Sequence, residues 1–318
     1  PHRALVEGSP EVTEAAIAAT GTRQSAEALN ASSGPQPPTQ KPDLEVTVRK
    51  QAASGALKAF AWGMATFIGT LVGVLALWVG VLALFNISPL IAKGPVDVWN
   101  YLFTVPAAEA NRELMFGNLA VTLGHSVIGF VSGLVVAILG ASLFQLSKGA
   151  EHALMPVAML LRSVPLIAMA PVIIMIFGRD IATVAVIGGI VVLFPALVNI
   201  SFGLKSASAQ MNDLVEVYGG GSWAKLRKIA MPSSLPAFFA AVRISVPGAI
   251  TGALLAEWLA VGGGIGGSIA GYIPQAQFSA LWTSVVLVTI VSLVLYNVIQ
   301  IVENVVLARM GMRAQTGI

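Results

Sequence analysis

Apolar runs long enough to cross a bilayer alternate with short polar segments along most of this chain. A helix needs about 20 apolar residues to span the hydrocarbon core. Six such runs occur, at about 60–85, 118–144, 153–177, 181–202, 237–260 and 281–307. They are continuous rather than alternating in polarity. Only helices and closed barrels satisfy the backbone in lipid, so the runs predict helices rather than barrel strands. The third and fourth are separated only by Gly178, Arg179 and Asp180, which predicts a tight hairpin.

The largest interruption is Gly203–Pro236, GLKSASAQMNDLVEVYGGGSWAKLRKIAMPSSLP. Lys205, Lys225, Arg227 and Lys228 make it basic, and Gly219–Gly221 stand at its middle. Asp213–Tyr218 and Ser222–Ala230 are compatible with short helices broken by the glycines. Ser222 is a candidate N-cap for the second, because Ser oxygens accept orphan amide protons at helix starts. Leu226, Ile229 and Ala230 fall on one face at helical spacing, away from the three basic residues. Tyr218 and Trp223 flank the bend, a composition suited to an interface hot spot. A basic loop resting on anionic headgroups is the competing reading.

Two other polar segments lie on the opposite side. In 86–117, Pro89, Gly94, Pro95 and Pro106 precede an EANRE stretch, and Val96–Phe103 reads as an interfacial helix carrying Trp99 and Tyr101. Gly262–Ser279 opens GGGIGG, and glycines admit unusual dihedrals and close backbone approach. A re-entrant turn or gate and a plain flexible loop both fit it.

Composition agrees with the pattern. Of 318 residues, 56% are hydrophobic and 10% charged, with mean hydropathy +0.82, against about a quarter charged in soluble domains. A net charge of +3 gives nucleic-acid binding little support, and zero cysteines exclude disulfides and thiolate metal sites. Residues 1–52, rich in Ala, Ser, Thr, Gln and Pro, have too little apolar surface to offset ordering and read as a disordered tail. No cleavable signal peptide is evident, since the first apolar run starts near residue 59. The domains expected are therefore 1–52, a transmembrane body at 53–310 and a short tail at 311–318.

With six spans, both termini share a side with the loops near 145–152 and 203–236. That side holds Arg49, Lys50, Lys58, Lys148, Lys205, Lys225, Arg227, Lys228, Arg309 and Arg313. The other has only Lys93, Arg112 and Arg179. The positive-inside rule places the termini and the long loop in the cytoplasm.

Ionisable groups inside spans are functional candidates, because burying them is costly. Arg162, beside Ser163 and Pro165, is a candidate anion contact or gate; a structural pair, or capping of carbonyls freed by Pro165 and Pro171, is the alternative. Glu257, next to Trp258, is a candidate pathway group that needs pairing or hydration. His125 reads first as a hydrogen-bonded core histidine, with ligand or proton relay as the alternative. Arg243 and Glu303 are expected to snorkel, Asn199 and Asn297 to bond between helices, and Gly129, Gly133, Gly140, Gly188 and Gly189 to permit close packing. No phosphate-binding loop, HExxH or cysteine nucleophile occurs.

The long loop also carries a spaced motif. Asp213-Leu214-Val215, three residues, Gly219, nine residues, Ile229, one residue, Met231-Pro232 follows the E-A-A, three, G, nine, I-x-L-P pattern of importer-type ABC permeases without a gap. The sequence resembles that family, and within it the nitrate, sulfonate, taurine and bicarbonate branch. LRSVPLIAMAPVIIMIFG at 161–178, Ala256-Glu257 with Gly264-Ile265-Gly266, and Pro89 with Pro95-Val96 and Trp99 are similar to further stretches of the branch. The resemblance covers about residues 60–308. Asp213 stands for the usual Glu, Leu214-Val215 for two alanines, Gly220 and Gly221 for Ala or Ser, and His125 where relatives often have Arg.

The resemblance implies an all-α, type I importer permease that moves a small anion by alternating access. Coupling to an ABC ATPase would run through Asp213, Glu216, Tyr218, Gly219, Gly220, Ser222, Trp223, Ile229 and Pro232. It implies ATP and Mg in that partner and no cofactor in this chain, an external solute-binding protein, and a second permease copy. An ion-gradient-driven transporter pairing Glu257 with Arg162 or His125 is the competing class.

Overall fold

The computed structural model describes residues 68–312, together with residues 62, 65 and 66. The expected tail at 1–52, the opening of the first expected span and residues 313–318 lie outside the described residues. The chain divides into two units, residues 1–74 and 75–318. Every regular element among the described residues is helical.

In the first unit, the Thr66 and Thr70 hydroxyls donate to the carbonyls of Trp62 and Thr66, each a turn earlier. Among the described residues, the apolar helix α1 is Ile68–Leu84.

Four long apolar helices build the second unit: α3 (Ala108–Leu146), α6 (Ile181–Lys205), α9 (Leu235–Val261) and α11 (Phe278–Arg309). Short helices α2 (Pro95–Phe103), α7 (Ala209–Val217), α8 (Ser222–Ser233) and α10 (Gly264–Tyr272) connect them.

The expected third span is broken. Helix α4 starts at Lys148, earlier than the hydropathy implies, because the Ser147 side chain accepts the Ala150 amide. It ends at Ser163, and α5 (Leu166–Phe177) leaves at 105° to it. The cause is local: a proline disfavours helical geometry in the residue before it, and Val164, before Pro165, is extended at φ −76° and ψ 125°. Among the described residues, four helices are therefore long enough to cross, or five if the bent pair counts as one. The hairpin at Gly178–Asp180 forms as expected, with Gly178 at φ 77° and the Asp180 carboxylate accepting the Ile181 amide at 2.6 Å.

Helices α3, α6 and α9 cross so closely that side chains are excluded. A Cβ on Gly188 would lie 2.8 Å from the Gly129 Cα, and one on Gly252 would lie 2.8 Å from the Gly188 Cα. Small residues at a membrane-helix interface let backbones meet and gain dispersion contact where lipid offers no hydrophobic drive. Ser132 of α3 adds a hydrogen bond to the Ala185 carbonyl of α6 at 2.8 Å. At the end where α3 and α6 finish, an ion pair between Lys205 and Glu151 holds the start of α4.

Two expectations for polar residues are overturned. Asn199 and Asn297 donate to the carbonyls of Pro195 and Leu293 in their own helices, a turn back, rather than between helices. Arg243 and Glu303 do not snorkel. Arg243 Nη1 lies 3.1 Å from Glu303 Oε2, both side chains are largely or wholly enclosed, and the guanidinium sits over the Tyr296 ring at 5.7 Å. The contact is ionic without hydrogen-bond alignment, since both Glu303 oxygens lack a hydrogen-bond partner among the described residues. Pairing wins because a buried carboxylate is less costly beside a cation than alone.

Candidate functional site

Two polar constellations stand out, at opposite ends of α9. The first is the Gly203–Pro236 segment. Ser208 caps α7, its side chain accepting the Met211 amide. The helix ends in a Schellman turn, in which Gly219 N–H donates to the Glu216 carbonyl and Gly220 N–H to the Val215 carbonyl. Gly219 takes φ 75°, the left-handed conformation such a turn requires of this position. A Cβ on Gly220 would overlap Val215, so glycine is required there too. Gly221, not Ser222, occupies the N-cap of α8, and Ser222 is the first helical residue. Gly221, at φ −78° and ψ −177°, has the extended geometry of a cap residue, whereas Ser222 is already helical.

Beyond the bend, α8 buries Leu226, Ile229 and Ala230, as their spacing predicts, through a π-helical turn at Leu226–Ala230. Tyr218 is 83% exposed and Trp223 63%. Asp213, Glu216, Ser222 and Pro232 are exposed as well. Lys225 Nζ reaches Glu216 Oε2 at 2.5 Å and ties the two arms together. That hydrogen bond, then the lysine charge, holds the Glu216 carboxyl below its ordinary value. The result is a braced, protruding turn with two aromatic side chains on its crest.

The second constellation centres on Glu257, which is 0% exposed. Glu257 opens the π-helical last turn of α9, Glu257–Val261. Its Oε2 accepts the Thr122 hydroxyl at 2.9 Å and the Gly266 amide at 2.8 Å, and its Oε1 lies 2.8 Å from His125 Nδ1. Thr122 Oγ1 in turn accepts the Ile265 amide at 2.8 Å. Gly262, Gly263 and Gly264 take φ 68°, 68° and 58°, which turns the chain back so that α10 offers its first amides to the carboxylate. A Cβ on Gly264 would overlap that carboxylate. The Gly-rich stretch is thus a structured turn. Asn118 extends the same seam, its Nδ2 donating to Ser268 Oγ at 2.9 Å.

The sequence singles out Glu257 and His125, and the structure brings them together. It does not bring Arg162, Ser163 and Pro165 to them. These three lie exposed at the α4–α5 bend, and Arg162 has no hydrogen bond or ion pair among the described residues. Trp258 is exposed and stands outside the network. Thr122, Asn118 and Ser268 are absent from the sequence reading. A signal for Thr122 exists, since it precedes His125 by three residues and shares its helix face.

The sequence profile of the family described as "Binding-protein-dependent transport system inner membrane component" matches residues 116–311. The chain is 28% identical over 177 residues to a probable ABC transporter permease protein of Haemophilus influenzae, covering 55% of this chain and 70% of that one. It is 28% identical over 160 residues to a formylaminopyrimidine transport permease protein of Halalkalibacterium halodurans, covering 50% and 62%. A putative aliphatic sulfonates transport permease protein of Bacillus subtilis is 25% identical over 173 residues, covering 54% and 61%. The alignments thus leave roughly a third of each relative unmatched. The matched residues run from α3 to the end of α11 and include both constellations, and the chain belongs to the binding-protein-dependent transport system inner membrane component family.

Proposed function

We propose that the chain is the transmembrane subunit of an ATP-driven importer in the cytoplasmic membrane, with both termini and the Gly203–Pro236 segment in the cytoplasm. The observation that carries this reading is the protruding turn. Two exposed aromatics sit on a crest whose backbone is fixed by a Schellman motif and whose far side is buried through Leu226 and Ile229. Family membership supplies the context. Aromatic anchors on a rigid crest suit a groove in a soluble partner, and an ABC ATPase with its ATP and Mg is the partner the family implies. Closure of that ATPase would be transmitted through α8 into α9. The chain itself contributes no catalytic group; it forms the pathway with a second permease copy, supplied by an external solute-binding protein.

For the cargo we favour a small anion such as nitrate, a sulfonate including taurine, or bicarbonate. The aliphatic sulfonate relative supports this, while the formylaminopyrimidine relative shows that the wider family's cargo varies.

A second reading has one observation in its favour. The buried Glu257–His125 pair is the kind of intramembrane ionisable group that ion-coupled carriers use. Proteoliposomes holding the chain with its ATPase and its solute-binding protein separate the two. The importer requires uptake of nitrate or ethanesulfonate that needs ATP on the turn's side and ignores an imposed proton or sodium gradient. Uptake that follows the gradient and ignores ATP overturns it.

A further inference from the structure

We propose that His125, held in place by Glu257, faces the aqueous translocation pathway and is the group there that meets an anionic cargo. The inference begins with the two edges of the ring. Nδ1 is committed to Glu257 Oε1 at 2.8 Å. Nε2, at the opposite edge, has no hydrogen-bond partner among the described residues, and it is not among their fully enclosed unpartnered atoms. The side chain is 18% exposed. The ring therefore presents a polar edge outward from a membrane-spanning helix. Facing hydrocarbon, that edge would forfeit its hydrogen bond with no water to replace it, which costs several kcal/mol. It must face water or a polar group.

The rest of α3 says which side that is. Asn118, His125 and Ser132 recur every seven residues, two helical turns, and so lie on one face of α3. Farther along, Ser132 and Val136 line a groove of about 260 Å³ between α3 and α6, together with Gly133, Ala185 and Gly189. Val127, on the other side of α3, is 60% exposed and lines an apolar groove with Leu295 and Ile299 of α11. Both grooves are lined by apolar surface, so the water-facing assignment rests on the unpartnered edge of His125, on the side of α3 opposite Val127.

Glu257 acts through His125 as a positioning residue. Its carboxylate accepts hydrogen bonds from Thr122 and Gly266, which fix it, and it fixes the ring through Nδ1. In the ion-paired form, Nδ1–H donates to the Glu257 carboxylate and Nε2–H points out of the cluster. That outward donor, with its counter-charge buried behind it, can bind an oxyanion by a charge-assisted hydrogen bond. Nitrate and sulfonates have this chemistry. The cargo class rests on the importer reading above, whereas the orientation of the ring does not.

The test exploits the absence of cysteine from the chain. His125→Cys is introduced into the full-length protein in its complete complex in membrane vesicles. Val121→Cys, one turn away on the same face, leaves the Glu257 pair intact and covers the case in which the first variant does not assemble. Val127→Cys reports the lipid side. The probes are an anionic methanethiosulfonate and a lipid-soluble maleimide, with nitrate and ethanesulfonate as protectants.

Charged reagent should modify positions 125 and 121 at least about tenfold faster than position 127, as expected where water reaches one face of a helix and hydrocarbon the other. Nitrate or ethanesulfonate should slow modification at 121, where His125 is retained, and Glu257→Gln combined with Val121→Cys should lose that protection. Reaction with the maleimide alone, or with neither reagent, places the face in lipid or under protein and overturns the proposal. Modification by charged reagent without protection by either anion overturns the cargo contact. Labelling needs no ATP, so protection alongside gradient-driven uptake would sink the importer reading and leave this one standing.

Discussion

The Tyr218–Trp223 crest and the Glu257 cluster handle polar groups at a membrane-spanning unit in opposite ways. On the crest, side chains point outward, and the bonds that shape the turn join residues within nine positions of one another: Gly220 to Val215, Gly219 to Glu216, Lys225 to Glu216. In the cluster, the carboxylate points inward, and three of the bonds join residues 132 to 143 positions apart on α3, α9 and α10, the Gly266 amide alone lying nine positions from Glu257. The crest can change partners without cost to the rest of the fold. The cluster cannot, because each donor lost leaves another polar group unsatisfied in a region without water. A part that engages a separate protein suits the first construction, and a part that holds three helices around a pathway suits the second.

The contrast is broken most severely at Glu257. Glu257→Ala leaves the Thr122 hydroxyl, the Gly266 amide and the His125 ring without their acceptor. Each buried donor left without its acceptor costs about 1–3 kcal/mol. The expected outcome is failure to accumulate, or a large fall in the thermal unfolding temperature of the detergent-solubilised protein. Unfolding at the wild-type temperature would show that the network is not what holds α10.

Gly219→Pro comes next, with the opposite profile. Proline fixes φ near −65° and Gly219 sits at 75°, so the turn cannot form. ATP-driven uptake should be lost while membrane insertion and unfolding temperature stay near wild type. Gly219→Ala, costing about 1–2 kcal/mol in the left-handed region, should reduce uptake only partly. Normal uptake from the proline variant in an assembled complex would sink the coupling role. A charge in place of Tyr218 should uncouple in the same way without disturbing the turn.

Thr122→Val probes one arm of the cluster. It strands the Ile265 amide and removes one donor from Glu257, at a cost of about 1–3 kcal/mol. Its expected mark is faster amide exchange at Ile265 and Gly266, with exchange on α7 and α8 unchanged.

The smallest effect belongs to Glu216. Its folded carboxyl titrates below the ordinary value of 4.5 because of Lys225. The pair therefore stabilises the turn fully above the ordinary carboxylate range, and that contribution is lost as pH falls through the lowered folded value. Both groups meet water, so screening keeps the effect slight. Amide exchange at residues 222–225, extrapolated for intrinsic pH dependence, should rise only on the acid side of 4.5. Lys225→Ala should abolish that step.

The spacing of Gly219, Ile229 and Pro232 made the crest readable, since a Schellman turn and an apolar face at helical period are local properties of consecutive residues. The Ser222 cap was misplaced because cap position depends on how the chain leaves the preceding turn. The bend at Pro165 was foreshadowed by the proline, but hydropathy averaged across it and returned one span. His125 and Glu257 were visible as costly residues inside spans; their pairing was not, because α3 and α9 meet only after Gly129, Gly188 and Gly252 have let three backbones into contact.

The order of apolar runs, the hairpin at Gly178–Asp180, the buried face of α8 and the family were determined by the sequence alone. Each depends on local periodicity or on spacing along the chain. The partners of Glu257, the enclosed Arg243–Glu303 pair and the outward edge of His125 were decided only by tertiary structure. The reason is the solvent: inside a bilayer a polar group must find its partner within the protein, and which partner is in reach is settled by how the helices cross.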